Sequence, residues 1–186
     1  MTKKNRGIVI TLSGPHGTGK STIAKEIAKK FNLRYISAGA LFRRLAEQQG
    51  MNLKNFNLFT EQNPDIDLAI DKITKEEAKK GNVVIDGRLS AWMANDADLK
   101  ILLTAPVEVR IKRIALRDNK DYEQAYRETI SREESERKRY LSLYKIDVDD
   151  ISIYDIVLNT AKYSKESCVK ILSVAVEELL ASSTEE

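Results

Sequence analysis

The sequence predicts an α/β fold, in which one five-stranded parallel sheet carries helices on both faces. Short runs of β-branched and apolar residues, such as 8–12 and 83–85, are typical of buried parallel strands. The segments between the runs carry apolar residues at helical spacing, as Ile23, Ile27 and Phe31 do. When strands and helices alternate in this way, ligands bind at the carboxyl ends of the strands.

The elements follow one another with clear boundary signals. The predicted strands cover residues 8–12, 33–36, 83–86, 99–103 and a fifth run centred on 156–158. Helical segments fill residues 39–80, with Asn52 and Asn63 as caps and Gly50 and Gly81 as stops. A helix opens at Pro106, a long charged helix covers 122–144, and Ser164 caps a final helix. We find no internal repeat or linker, so residues 1–186 are predicted to form a single domain.

Between the first predicted strand and the first predicted helix lies a stretch that fits the P-loop pattern G-x-x-x-x-G-K-[ST]. Its glycines allow backbone N–H groups to surround phosphate oxygens, and the following helix adds its positive dipole end. The lysine is placed to reach the β- and γ-phosphates, and the serine hydroxyl to ligate Mg²⁺. The residues predicted to bind a nucleoside triphosphate are Gly14, Pro15, His16, Gly17, Thr18, Gly19, Lys20, Ser21 and Thr22.

Asp86 ends the third strand, where P-loop proteins keep a second magnesium-site carboxylate. We therefore predict that Ser21 and Asp86 form the metal site, with ATP and Mg²⁺ as the cofactors. The alternative for Asp86 is an ordinary carboxylate that caps a turn.

Composition argues against several classes of function. A net charge of +3 with 32% charged residues argues against a dedicated nucleic-acid or membrane surface, because acidic residues are interspersed among the basic ones. The lone Cys168 falls at an apolar position of the last helix and fits a reducing, cytoplasmic setting. The polar start of the chain shows no signal-peptide pattern, and no apolar segment approaches membrane-spanning length.

Arginines are concentrated between residues 110 and 139. They either lace a solvated helix through pairs such as Glu128–Arg132 and Glu133–Arg137, or they gather phosphates. The second interpretation follows if the acceptor of a phosphoryl group is itself a phosphate, since guanidinium groups offset the repulsion between two polyanions. Such an acceptor needs no strong general base, and the only histidine, His16, lies in the P-loop itself. Arg43 and Arg88 are predicted to hold the acceptor phosphate.

The chain resembles the nucleoside monophosphate kinases, and most closely the archaeal-type cytidylate kinase family. The resemblance covers nearly the whole chain, and its P-loop is shared by a whole superfamily. The segments that carry it are 14–22, 37–39 with 41–43, 63–67, 86–93, 132–135 with 138–140, and 152–155. It implies the P-loop kinase fold, with residues of about 39–80 as a helical NMP-binding insertion and about 118–142 as a helical lid.

The resemblance also implies roles for individual residues. Lys20, Arg132, Arg137 and Arg139 would act on the transferring phosphoryl group, and Arg117 would lie near the adenine. Ser37 and Ser90 are candidates for contacts with the acceptor base or ribose, although each is equally suited to cap a helix. Trp92 and Met93 are expected to pack in the core rather than to wall a base pocket. Any ribose or base role of Glu133 and Glu136 stays open, because the bacterial cytidylate kinases have Asp at both positions.

The function implied is Mg²⁺-dependent transfer from ATP to CMP, and also to dCMP, by a cytoplasmic monomer that uses neither nucleic acid nor membrane as partner. The nearest alternative is an adenylate kinase or another small-molecule P-loop kinase. The junction 86–88 lacks the aromatic-Pro spacing that adenylate kinases usually place there, which disfavours this alternative. A P-loop switch or RNA-associated ATPase is a further alternative, since tyrosines interleave the arginine-rich helix.

Overall fold

The computed structural model describes residues 6–182, so the predictions made for residues 1–5 and 183–186 lie outside it. Five strands form one sheet in the order β2-β3-β1-β4-β5, and every pair is parallel. The elements are β1 (Val9–Ser13), α1 (Lys20–Lys30), β2 (Arg34–Ser37), α2 (Ala38–Gln48), α3 (Leu53–Gln62), α4 (Asp65–Lys80), β3 (Val83–Asp86), α5 (Ser90–Met93), β4 (Leu99–Thr104), α6 (Val107–Asp118), α7 (Tyr122–Tyr144), β5 (Ile156–Asn159) and α8 (Lys165–Ser182). The predicted five-stranded parallel sheet is thus confirmed.

The sheet register brings the candidate residues to one edge. Ser37 at the end of β2 pairs with Asp86 at the end of β3, and Asp86 in turn is level with Leu12 of β1. Because β1 lies between β3 and β4, the strand order reverses direction at β1. Ligand crevices of open α/β sheets form at such a switch point, outside the carboxyl ends of the strands. The loop that follows β1 therefore opens into that crevice.

Alternating side chains of the strands build a core on each face. On one face Ile10 and Leu12 of β1 pack with Ile27 of α1 and Leu172 of α8. On the other face Val9 packs in a smaller cluster that includes Ala78 of α4. Helices on both faces explain why the strands read as continuous apolar runs rather than alternating ones. The predicted core position of Cys168 is confirmed, since it is buried in the first cluster.

Between β2 and β3, helices α2, α3 and α4 form a layer with a core of its own, in which Phe42, Phe56 and Ile70 are buried. Ser37 caps α2 by accepting a hydrogen bond from the Ala40 N–H, and Asn52 caps α3 in the same way. The cap predicted at Asn63 differs: Asn63 ends α3, and Pro64 takes the cap position of α4. The asparagine is used differently because its amide nitrogen donates to the Phe59 carbonyl of the preceding helix.

Helix α7 packs against elements on both sides of the crevice, α6 on one side and the inserted layer on the other. Its Ala125 packs against Ile111 and Ile114 of α6, while its other contacts reach α3 in the inserted layer. Near its end, Tyr140 packs with Leu89 and with Met93 of the short helix α5, which confirms the core role expected of Met93. Among residues 6–182, no helix combines the length and the apolar character needed to cross a membrane.

Candidate active site

A cavity of about 840 Å³ opens at the carboxyl ends of the strands. Its walls come from the P-loop, from α2 and α4 of the inserted layer, from the turn after β3, and from α6 and α7. Basic side chains outnumber acidic ones on these walls. The basic residues are Lys20, Arg43, Arg88, Arg113, Arg117, Lys120, Arg132 and Arg139, and the acidic ones are Asp67, Asp71, Asp86, Asp118 and Glu136. A cavity of this size and charge suits polyanionic ligands.

The P-loop is shaped by close backbone approaches. A Cβ on Gly14 would lie 2.1 Å from the Leu103 carbonyl oxygen, and one on Gly17 would lie 2.5 Å from the Arg110 carbonyl oxygen. Both glycines have a positive φ, 140° and 81° respectively, so other residues would be strained as well as crowded. The loop residues that line the cavity are His16, Gly17, Gly19, Lys20, Ser21 and Thr22, whereas Gly14, Pro15 and Thr18 do not line it.

Lys20 begins α1 and points back across the loop, where its Nζ donates to the Pro15 carbonyl oxygen at 2.8 Å. Burial and the neighbouring Arg88 lower the pKa of Lys20 to about 8, although Asp86 opposes this shift. A lysine that is short of counter-charges is suited to bind an anion that brings its own charge.

Asp86 is buried at the end of β3 and collects three hydroxyl groups. Its Oδ2 accepts from Ser21 Oγ at 2.5 Å, from the Tyr35 hydroxyl at 3.0 Å and from Ser37 Oγ at 3.1 Å. No lysine, arginine or histidine pairs with this carboxylate among the described residues. One carboxylate and one hydroxyl, both hard oxygen donors beside the P-loop, fit the way proteins share Mg²⁺ with nucleotide phosphates. Within residues 6–182 there is no all-protein metal cluster of three or more acidic, His or Cys side chains.

Arg43 and Arg88 both line the cavity, one from α2 and the other from the turn after β3. Neither guanidinium makes a hydrogen bond or ion pair among the described residues, and Arg88 Nε is buried with no partner. A buried donor without a partner is costly unless a ligand satisfies it. These two side chains are therefore available to an anionic group.

Ser37 and Ser90 do not line the cavity. Ser37 Oγ is occupied by Asp86 and by the cap of α2. Ser90 Oγ lies 3.0 Å from Ser13 Oγ, and it is within hydrogen-bond distance of the Leu12 carbonyl in β1 and the Gly87 carbonyl in the turn after β3. Both hydroxyls thus serve the edge of the sheet in this conformation, and neither is presented to a substrate.

Of the three arginines predicted to act from α7, two line the cavity and one does not. Arg132 and Arg139 line the cavity, but Arg137 is more than half exposed and pairs with Asp149 at 2.8 Å. A step of two residues rotates a side chain by about 200° around a helix, so Arg137 cannot share the face of Arg139. Arg132 lies over the Phe42 ring, with its guanidinium carbon 5.3 Å from the ring centre, and so bridges α7 and the inserted layer.

Two glutamates of α7 hold the P-loop directly. Glu133 accepts the His16 backbone N–H at 2.9 Å and also an Arg110 guanidinium hydrogen bond at 2.6 Å. Glu136 is buried, with its carboxylate 3.0 Å from His16 Nε2 and 2.9 Å from Arg132 Nε. The face of α7 that carries Glu133 and Glu136 therefore contacts the P-loop rather than solvent.

The protonation states of this pair follow from its surroundings. Burial and the nearby Arg132 lower the pKa of His16 to about 4, against the opposing pull of Glu136. Burial alone would raise the pKa of Glu136, but its contacts with His16 and Arg132 hold that pKa well below the ordinary value. At neutral pH the histidine is neutral and the glutamate ionised, so His16 acts as a hydrogen-bond donor to Glu136.

On the side of α6, Arg117 lines the cavity and pairs with the adjacent Asp118 at 2.6 Å. Arg113, which the sequence reasoning did not single out, lines it too and donates to Thr160 Oγ1 and to the Thr160 carbonyl. Thr160 Oγ1 contacts the Thr18 carbonyl at 2.9 Å, so the turn after β5 is tied to the P-loop. The sequence did carry a signal for Arg113, because it lies four residues before Arg117 and so on the same face of the helix.

Sequence reasoning also missed Asp67 and Asp71 of α4 and the hydroxyl of Tyr35. Asp67 and Asp71 are buried in the cavity wall, yet they read as solvent-side acids between apolar helical positions. The signal was their spacing of one helical turn, which puts both carboxylates on a single face. Nothing in the local sequence shows that α7 covers this face.

The overall fold is shared with solved structures whose sequences are much less similar. An uncharacterised protein from Eubacterium ventriosum superposes with a TM-score of 0.68 at 17% identity, covering 91% of this chain and 98% of its own. The shikimate kinase of Bacteroides thetaiotaomicron superposes with a TM-score of 0.60 at 21% identity and the same coverage. At these identities the likeness establishes the P-loop kinase fold alone.

Sequence relatives are much more similar. The cytidylate kinase of Staphylothermus marinus is 49% identical over 174 residues, which cover 93% of this chain and 98% of that protein. Those of Methanocaldococcus jannaschii and Pyrococcus horikoshii are 47% and 45% identical, over 92% of this chain and 99% and 90% of theirs.

The model of the cytidylate kinase-like family matches residues 9–162, a span that runs from β1 past β5 and contains every residue that lines the cavity. The resemblance expected from the motifs is confirmed, and the chain belongs to the cytidylate kinase-like family.

Proposed function

We propose that this protein transfers the γ-phosphoryl group of ATP to CMP, and also to dCMP, to give ADP and CDP or dCDP. The observation that carries the proposal is that a single cavity joins the P-loop lysine to two arginines, Arg43 and Arg88, that have no partner within residues 6–182. Family membership, with relatives named cytidylate kinase, supports cytosine as the acceptor base.

On the donor side, the P-loop backbone and Lys20 hold the β- and γ-phosphates, and Arg117 of α6 lies near the adenine. Arg113 and Thr160 brace the loop from behind. The His16 N–H that Glu133 occupies is released when phosphate oxygens take its place, because both are anionic acceptors for the same donor.

On the acceptor side, Arg43 and Arg88 bind the phosphate of CMP and bring one of its oxygens to the γ-phosphorus. That oxygen forms the new P–O bond, while the bond from the γ-phosphorus to the β–γ bridging oxygen breaks and ADP keeps the electron pair. The attacking oxygen is already anionic, so no proton has to be removed. This agrees with a cavity whose only histidine is neutral and bound to Glu136.

Ser21 and Asp86 would hold Mg²⁺ together with the β- and γ-phosphates. When bound there, the ion neutralises charge that develops on the phosphoryl oxygens. Tyr35 and Ser37 orient the Asp86 carboxylate through their hydroxyl groups, which donate to the same Oδ2 that contacts Ser21.

Arg132 and Arg139 of α7 add positive charge around the transferring phosphoryl group. Arg137 could contact that group only if α7 rotates when the enzyme closes. We propose that residues of about 39–80 act as the NMP-binding insertion and about 118–142 as the lid, with one chain as the working unit. Closure over both nucleotides would exclude water, and so favour phosphoryl transfer to CMP over hydrolysis of ATP.

The test is a coupled assay of ADP formation with ATP and each of CMP, dCMP, UMP, AMP and GMP, with and without Mg²⁺. We expect turnover with CMP and dCMP that is lost on chelation. Lys20→Ala should lower kcat by about 100-fold or more, because it removes a charge that stabilises the transferring phosphoryl group. Lys29→Ala, an exposed lysine of the same helix, should leave kcat unchanged. Silence with CMP, dCMP and UMP would overturn the proposal, and turnover with AMP alone would favour an adenylate kinase.

A further inference from the structure

Two buried serine hydroxyls meet where the P-loop and the turn that carries Arg88 leave the sheet. Ser13 is the last residue of β1 and directly precedes Gly14 of the P-loop, and Ser90 begins α5, two residues after Arg88. The two serines are 0% and 2% exposed, and their Oγ atoms are 3.0 Å apart. The phosphate chemistry above assigns no role to either hydroxyl.

Ser90 does not act as the helix cap for which its position is suited. The cap position of α5 belongs to Leu89, and this end of the helix has no side-chain cap. Ser90 Oγ lies instead 3.0 Å from the Gly87 carbonyl oxygen and 3.3 Å from the Leu12 carbonyl oxygen. Because Ser90 is also absent from the cavity wall, a direct contact with substrate does not explain its hydroxyl either.

One arrangement of the two hydroxyl protons uses both serines fully. The Ala91 N–H donates to Ser13 Oγ at 3.4 Å, Ser13 donates to Ser90 Oγ, and Ser90 donates to the Gly87 carbonyl. A serine hydroxyl donates one hydrogen bond and can also accept, so each oxygen of this chain does both. Consecutive hydrogen bonds in a buried site polarise and strengthen one another. The chain thus ties the end of β1 to the segment after β3 at Gly87 and at Ala91.

This link lies just beyond the last backbone pair of the two strands. The ladder between β1 and β3 ends at Leu12 and Asp86, and the Gly87 N–H donates to the Leu12 carbonyl at 3.2 Å. From there one chain segment continues into the P-loop and the other towards Arg88. The contact between the two serine hydroxyls joins these segments after the backbone pairing has ended.

Close packing holds the same turn against α2. A Cβ on Gly87 would lie 2.9 Å from the Cβ of Ala38, the first residue of α2. That helix also carries Arg43. The turn with Arg88 is therefore fixed both to the helix that carries the other acceptor arginine and to the strand that leads into the P-loop.

We propose that Ser13 and Ser90 are positioning residues that hold Arg88 at a fixed distance from the P-loop and so align the acceptor phosphate with the γ-phosphate. This inference rests on the proposed function, which places the donor phosphates on the P-loop and the acceptor phosphate on Arg43 and Arg88. Transfer needs the attacking oxygen in line with the bond that breaks, and a misplacement of about 1 Å can cost about 100-fold in rate. Each nucleotide alone is bound by its own contacts, which do not include the serine pair.

The first test measures kcat, and the KM for ATP and for CMP, in wild type, Ser90→Ala and Ser13→Ala, with thermal unfolding to show which variants fold. We expect kcat to fall by about tenfold or more, because the acceptor is no longer held in line with the donor. Both KM values should stay within about threefold of wild type, since the contacts that bind each nucleotide remain. One folded alanine variant is enough, because either substitution removes the same hydrogen bond.

Ser173 of α8 supplies the matched control. It is 1% exposed and lies outside the cavity wall, and its Oγ is buried without a hydrogen-bond partner among the described residues. Ser173→Ala therefore removes a buried serine hydroxyl without breaking a link, and it should leave kcat unchanged.

The double variant tests whether the two serines act as one unit. Ser13→Ala combined with Ser90→Ala should lower kcat about as much as the stronger single substitution, because the hydrogen bond is already lost in each. A fall equal to the product of the two single effects would mean that the serines act separately, and the inference would be wrong.

Other results would also overturn the inference. If the alanine variants were less stable but kept the wild-type kcat, the serine pair would only support the fold. The same would hold if neither variant folded. If Ser90→Ala raised the KM for CMP well beyond threefold, its hydroxyl would bind the nucleotide rather than align it. A wild type that phosphorylates no nucleoside monophosphate would instead overturn the proposed function.

Discussion

Arg43 and Arg44 are neighbours on α2 and both are exposed, yet only Arg43 of the two lines the cavity. On a helix, consecutive residues point about 100° apart, so one of two adjacent arginines can face a ligand while the other faces solvent. Arg43 Nη1 lies near Gly39 at the start of α2, where a Cβ on that glycine would be 3.6 Å away. The Arg43 guanidinium thus lies beside the N-terminus of α2, the positive end of the helix dipole, and both favour binding of an anion there.

Arg43→Ala should therefore raise the KM for CMP by about 10-fold to 100-fold, since a charge-assisted contact to phosphate contributes roughly 1.5–3 kcal/mol. Arg44→Ala, which removes the same side chain from the same helix, should leave the KM for CMP within about twofold of wild type. Steady-state kinetics at saturating ATP measures both. If the two variants behaved alike, the acceptor phosphate would lie elsewhere.

Much of the site was predictable at the level of residues because its chemistry is local. The P-loop and its flanking strand and helix are contiguous, so the pattern that identifies Lys20 and Ser21 also fixes their neighbourhood. Asp86 was found in the same way, as the last residue of an apolar strand. Asp67 was not, because its partner Arg139 is 72 positions away in the sequence and only tertiary packing brings them together.

At the level of elements, α7 shows what periodicity leaves undetermined. The charge pattern predicted the helix, and the structure has it at Tyr122–Tyr144. It also suggested the pairs Glu128–Arg132 and Glu133–Arg137, but those residues pair otherwise. Glu128 pairs with Lys120, Glu133 with Arg110, Arg132 with Glu136, and Arg137 with Asp149. Each glutamate of a helix rich in both charges has several candidate partners, and contacts with α6 and the P-loop decide among them.

Two buried carboxylates of α4, Asp67 and Asp71, contact side chains of α7. Of the two, Asp67 forms an ion pair within the described part of the chain. Asp67 pairs with Arg139, whereas Asp71 accepts a hydrogen bond only from the Tyr144 hydroxyl among the side chains that the structure describes. Burial therefore raises the pKa of Asp71 to about 6, despite the hydrogen bond from Tyr144. Because the folded protein holds the Asp71 proton more tightly than the unfolded chain does, the free energy of unfolding falls as pH rises from about 4 to about 6, and this loss is complete above pH 6.

Asp71→Asn should accordingly stabilise the protein at pH 7.5 by about 1–3 kcal/mol, since the amide needs no charged form and can still accept from Tyr144. The gain should shrink as pH falls from 6 towards 4, because the wild-type carboxyl is then protonated in the folded protein and its ionisation no longer costs stability there. Urea unfolding at pH 7.5 and 4.5 measures the difference. Glu76→Gln, an exposed acid of the same helix, should change stability by less than about 0.5 kcal/mol at either pH. A less stable Asp71→Asn at pH 7.5 would show that hydrogen bonding outweighs burial there.

For the whole molecule, the parallel sheet was predictable because the strands are buried on both faces and the chain alternates regularly. The position of α7 was not predictable in the same way. It depends on Glu133 and Glu136 reaching the P-loop and on Arg132 reaching Phe42, contacts that join three distant parts of the chain. With α7 in place, the proposed donor and acceptor sites, marked by Lys20 and by Arg43 and Arg88, line one cavity.

A continuous cavity predicts that one molecule can occupy both sites together. Adenosine and cytidine joined through five phosphates should bind at least about 100-fold more tightly than ATP, because the second nucleoside binds at a high effective concentration once the first is bound. The arginines on both walls would neutralise the additional phosphates, so the gain should fall as salt is raised. Calorimetry with ATP, CMP and the joined compound tests this, and a version with two phosphates, too short to span both sites, serves as the control. If the five-phosphate compound bound no better than ATP, or competed with ATP but not with CMP, the two nucleotide sites would not be continuous.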